Sequence, residues 1–183
     1  MFFANLNKDT VAPDERTIYP KGDYVMRIKK ISYYHNDNKQ TDNIIVRFKP
    51  IAKINLIDGT VVAEAVSGSD IAMFYNPYKN NGDLNEEFTI KPLGQMVWAA
   101  TGLTSKEEVS EEYDPEPNED QSIVVESWAE KLSALELITI AGSIGINIYQ
   151  GKESNRVGNY QPVSDLMEEA MVEADIDTEP PPF

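Results

Sequence analysis

A chain of 183 residues, 41 % of them apolar, is long enough for one packed domain with flanking tails. The absence of cysteine excludes disulfides, thiolate metal sites and thiol nucleophiles and suits a reducing, cytoplasmic setting, while no stretch approaches the roughly 20 apolar residues of a membrane span and Met1 to Thr10 lacks a signal-peptide pattern. The net charge of -15 is segregated: residues 1–106 hold 13 Lys and Arg against 12 Asp and Glu, residues 107–183 hold 3 against 19, and Thr17 to Lys53 alone is +5.

Residues 1–16 show no clear period and contain Pro13, so they read as an N-terminal arm. Asp23 to Ser32 alternates as a strand, with Tyr24, Met26 and Ile28 on one side and Val25, Arg27 and Lys29 on the other. A polar hairpin loop, His35 to Asn43, leads to a second strand over Asn43 to Ile54. Ile44, Val46 and Phe48 form its apolar face, and Arg47, Lys49 and Lys53 fall opposite with Ile45 and Ile51. Asp58-Gly59 marks the next hairpin, and Thr60 to Tyr75 reads as two strands or one bulged strand. After an Asn- and Gly-rich loop carrying Tyr78, the spacing predicts a helix over Phe88 to Leu103, with Pro92 near its start and Gly102 near its end.

Residues 104–121 hold eight carboxylates broken by Pro115 and Pro117 and read as an exposed acidic loop with a helical turn at its beginning. A short amphipathic helix over Ile123 to Leu135 surrounds Trp128. Strands follow at Leu137 to Gln150 and Arg156 to Val163. The sum is a mainly β domain over residues 17–163, an OB-fold-like five-stranded barrel with its helix between strands 3 and 4. A β-sandwich with appended helices is the alternative.

No motif in the chain supports nucleophilic catalysis. His35 is the one imidazole, and neither a GxxxxGK[ST] phosphate loop nor a GxGxxG occurs. The clustered carboxylates sit in proline-broken segments rather than a fixed frame, so no metal or other cofactor is implied and a binding module, not an enzyme, is expected. What the chain does carry is a basic face with aromatic rings beside it, the combination that holds single-stranded nucleic acid. Arg27, Lys29, Lys30, Arg47, Lys49 and Lys53 are the phosphate candidates; Tyr33, Tyr34, Phe74, Tyr75, Tyr78 and Tyr149 are the stacking candidates. Phe48 and Tyr24 belong to the apolar faces and are expected in the core, and Trp98 is expected to pack.

Ser164 to Phe183 carries seven carboxylates, no Lys or Arg, and the sequence Pro180-Pro181-Pro182-Phe183. Such a segment is expected to be disordered alone and to order on a partner, with Asp175, Asp177, Glu179, Pro182 and Phe183 as its contacts. Its tip resembles the acidic ends, finishing in proline and phenylalanine, of bacterial and bacteriophage single-stranded DNA-binding proteins. The resemblance covers the tip alone, and the three consecutive prolines depart from the usual aspartate-rich ending. It implies protection of single-stranded DNA during replication, recombination and repair, recruitment of the enzymes of those processes through the tail, competition of the tail with DNA, and, for a phage protein, the host cytoplasm. The alternative is an acidic interaction protein, a DNA mimic or assembly chaperone, that binds no DNA. Oligomeric state is left open.

Overall fold

The computed structural model describes residues 17–178. The expected arm and the tail residues Glu179, Pro182 and Phe183 lie outside the described residues. Six strands, β1 (Gly22–Asn36), β2 (Thr41–Ile57), β3 (Thr60–Ala65), β4 (Ile71–Tyr75), β5 (Thr139–Tyr149) and β6 (Lys152–Gln161), form one antiparallel sheet. The order is β3-β2-β1-β5-β6, and β4 also pairs with β2. Since β3 pairs with Ala52 to Ile57 and β4 with Ile44 to Phe48, the two lie end to end along one edge of β2. The Thr60–Tyr75 stretch is therefore two strands. Asp58 and Gly59 both take positive φ, 50° and 77°, the two-residue turn that matches strand twist.

The sheet is not closed. Between β4 and β6 there is no ladder, and side chains bridge the seam instead. The Val157 amide donates to Met73 Sδ at 3.2 Å, and the Tyr75 and Tyr160 hydroxyls share a buried hydrogen bond. Burial pushes Tyr75 up to about 12.

Four helices complete the described chain: α1 (Lys91–Thr101), entered through a π turn at Glu86–Ile90, α2 (Lys106–Tyr113), α3 (Val125–Leu132) and α4 (Asp165–Glu173). Gly102, φ 75°, ends α1 and donates to the Trp98 carbonyl. Half of the expected acidic loop is the helix α2. Ser105 caps it by accepting from the Glu108 amide, Glu107 and Glu108 favour its N-terminal dipole, and buried Tyr113 anchors its end. One face of the sheet packs on α1 and α3 through Tyr24, Met26, Ile28, Val46 and Phe48 against Leu93, Met96, Val97, Trp128 and Leu132. Tyr24 and Phe48 are core, as the alternation requires, whereas Trp98 is 37 % exposed.

The expected disorder from Ser164 onward is corrected by α4. Counting carboxylates hid a stripe, Met167, Ala170, Met171 and Ile176, that seats on Val25, Ala52 and Ala63 on the sheet face opposite the main core. Ser164 caps the helix by accepting from the Met167 amide. Its C-terminus is a Schellman closure: the Ile176 amide donates to the Met171 carbonyl at 2.9 Å and the Asp175 amide to Val172 at 3.1 Å, with Asp175 at φ 56° and an Ile176–Met171 apolar contact. The folded unit thus extends to Thr178.

Candidate nucleic-acid interface

Cross-strand partners share a sheet face, so the register maps the surface that α4 leaves open. Reading along β1, β2 and β4, the rows are Arg27–Lys49, Lys30–Arg47–Ala72, Ile45–Phe74 beside Ser32, and Tyr34–Asn43. Neighbours across a row lie about 4.8 Å apart and successive rows about 6.6 Å apart. This strip carries four cations and two exposed rings, Tyr34 at 44 % and Phe74 at 59 % exposure. Lys29 is the extra residue of a bulge between Ile28 and Lys30, and its ammonium reaches Asp70 at 2.9 Å.

Each cation has a distinct situation. Arg27 is half-buried, its Nη2 donating to the Thr178 carbonyl at 2.5 Å, and its Nε is buried without a partner. Lys49 donates to the Gly68 carbonyl at 2.5 Å, and Lys30 lies 3.5 Å from Glu136. Among the described residues Arg47 makes no ion pair and is exposed, at the centre of the strip. The ammonium groups of Lys29 and Lys30 are exposed while Asp70 and Glu136 are largely covered, and Glu136 also accepts from the Ile31 amide at 2.9 Å.

Five of the sequence-derived candidates do not join this strip. A second register shift, between Val25 and Met26, inserts Ile51, so Lys53 pairs with Tyr24 and projects from the opposite face to Arg47 and Lys49. Tyr33 pairs with buried Ile44 and also faces away from Tyr34. Its hydroxyl donates to Asp42 at 2.7 Å, which pushes its pKa up to about 12. Tyr75 is 3 % exposed and belongs to the core, because it pairs with Ile44 rather than Ile45. Tyr78 is half-buried, and its hydroxyl accepts from the Ile123 amide at 2.6 Å, which ties the 76–85 loop to the segment before α3. Tyr149 is exposed, but at the β5–β6 hairpin tip beyond Gly22, the end of β1 away from Tyr34.

The tail residues within the described chain, Asp175 and Asp177, follow α4 on the strip's own face, and Thr178 ends at Arg27. Beyond Tyr33, Asp42 accepts from His35, whose Nδ1 lies 2.7 Å away. Burial alone would raise the Asp42 carboxyl, but these two hydrogen bonds outweigh it and hold it below the ordinary aspartate range. Among the described residues no group of three or more His, Asp or Glu is placed to hold a metal, and no helix is long and apolar enough to cross a membrane.

Sequence reasoning missed the polar rim of the strip. Asn36, Lys39, Asn43 and Asn76 surround Tyr34 and Phe74 in a concavity of about 600 Å³. The signal available was the density of asparagine in residues 36–43 and 76–85. No protein-family model and no curated protein matches the chain.

Proposed function

We propose that this chain is a single-stranded DNA-binding protein that takes DNA without strict sequence requirement along the β1–β2–β4 strip. The observation that carries the reading is the row structure itself: Arg47, without an ion pair among the described residues, flanked by Lys30 and Lys49, with the exposed rings of Phe74 and Tyr34 one and two rows further on. Bases stack on rings whatever their identity, and cations at row spacing follow the phosphates. An OB-type description is supported by the three-strand meander, the return hairpin β5–β6 pairing onto β1, and the helices between them; the open β4–β6 seam is the departure from a closed barrel.

Protection of single strands in replication, recombination and repair, a bacteriophage origin and recruitment of partner proteins through the acidic tail rest on the resemblance of the tip. Competition of the tail with DNA has a geometric support: Thr178 already sits on Arg27, and five further residues extend at most about 18 Å, enough to reach Arg47 one row away. Removing residues 179–183 leaves α4 whole; it raises DNA affinity at low salt if the tail competes and leaves it unchanged if it does not.

The test of the reading is a pair of ring removals. Tyr34→Ala and Phe74→Ala are each expected to weaken oligonucleotide binding by about 1–3 kcal/mol with thermal stability retained. Unchanged affinity in both variants refutes the strip as the binding surface. An acidic interaction protein uses Glu107, Glu108, Glu111 and Glu112 of α2 directly and predicts the same indifference.

A further inference from the structure

We propose that the concavity beside Tyr34 and Phe74 is a subsite for one thymine or uracil base, recognised at its Watson–Crick edge by Asn36, Asn43 and Asn76; this rests on the single-strand-binding reading above. Stacking by itself does not discriminate among bases, whereas side-chain amides do.

The amide orientations are dictated by partners that can play only one role. Asn36 Oδ1 accepts from the backbone amides of Asn38 and Lys39, both at 3.1 Å, so its Nδ2 hydrogens are free to donate. Asn76 Oδ1 accepts from the Tyr78 amide at 3.0 Å, which likewise leaves Nδ2 as the free end. Asn43 is reversed. Its Nδ2 donates to the Thr41 carbonyl at 3.3 Å and to Thr41 Oγ1 at 3.4 Å, leaving Oδ1 to accept.

Asn43 lies opposite Tyr34, Asn36 one row further along β1 opposite Thr41, and Asn76 directly after β4; around the concavity, from β1 through β2 to the residue after β4, the free groups therefore run donor, acceptor, donor. Thymine and uracil present the complement: the O4 acceptor, the N3–H donor and the O2 acceptor. Cytosine presents donor, acceptor, acceptor and guanine acceptor, donor, donor, while adenine opposes a donor at N6 to a donor of the protein. Each mismatch leaves at least one amide facing a like group. Tyr34 and Phe74 supply the stacking walls, and Lys39 on the rim supplies a phosphate contact.

The experiment compares equal-length oligo(dT), oligo(dU), oligo(dC) and an oligonucleotide of N3-methylthymidine at one salt concentration, with wild type and Asn43→Ala. Wild type is expected to bind dT and dU alike, and both about fivefold or more tighter than dC or the N3-methyl strand. Thymine and its N3-methyl form share the ring and glycosidic attachment, so easier unstacking of dT does not produce that gap. Asn43→Ala is expected to lose the preference, binding dT no tighter than dC. Equal wild-type binding of dT and the N3-methyl strand overturns the subsite while leaving single-strand binding intact, and so does an Asn43→Ala protein that keeps the full preference. Absence of binding to every strand overturns both.

Discussion

Arg47 and Lys53 lie on one strand and look equivalent in sequence, yet the bulge at Ile51 puts them on opposite faces. Arg47→Ala removes the central cation of the strip, which makes no ion pair among the described residues. For single strands the slope of log K against log salt is about -0.7 per phosphate neutralised, so the four cations of the strip (Arg27, Lys30, Arg47 and Lys49) correspond to a slope of roughly -2.8. Losing Arg47 is expected to reduce the magnitude of the slope by about 0.7, and the variant then loses about fivefold less affinity than wild type over a tenfold rise in salt. Lys53→Ala, with the same formal charge change, is expected to leave the slope unaltered. Fluorescence anisotropy of a labelled oligonucleotide over a salt series reads both. Equal slope changes in the two variants would mean that net charge, not this face, governs binding; no change in either would remove the strip from the interface.

The β4–β6 seam predicts a strongly non-additive pair: Tyr160→Phe alone strands the buried Tyr75 hydroxyl and costs about 1–3 kcal/mol in urea unfolding, whereas the Tyr75→Phe, Tyr160→Phe double variant recovers most of that loss. Met171→Ala, at a position 2 % exposed, is expected to destabilise by about 2–5 kcal/mol, against less than about 0.5 kcal/mol for Val172→Ala at a position 77 % exposed; equal small effects would show that α4 is not docked. Because Asp42 is held below its ordinary pKa by Tyr33 and His35, its contribution to hairpin stability is fully present above the unfolded aspartate range and is lost as pH falls through the lower folded value. Protection factors at residues 36–41, with the intrinsic slowing of amide exchange in acid divided out, should therefore fall on acidification in wild type and depend less on pH in Asp42→Asn.

The strand and helix positions were legible because period-two alternation, the Asp58-Gly59 turn and the Pro92 to Gly102 frame are local signals. Bulges are not. One extra residue at Ile51 inverted the face of Lys53, marked only by Pro50 beside it inside a central strand, and the Ile44–Tyr75 register decided that Phe74 and not Tyr75 meets solvent. Both are settled by pairing between strands, the first within the β1–β2 hairpin and the second between β2 and β4. The α4 docking was hidden for another reason: seven carboxylates dominate the composition of residues 164–183, while the burial rests on four apolar residues and on the small side chains of Ala52 and Ala63, which let the helix approach the sheet. The tyrosines needed tertiary information as well, since Tyr33 and Tyr34 are adjacent but project to opposite faces, and Tyr78 is held by an amide 45 residues away.

The central claim is met most directly by anisotropy of labelled oligo(dT) beside a duplex of equal length, each titrated with the intact protein at two salt concentrations. Tight, salt-sensitive binding to the single strand with little to the duplex is the predicted result. No binding to either strand form, by the intact chain and by one lacking residues 179–183, contradicts it and leaves the acidic surface of α2 as the place to look for a partner.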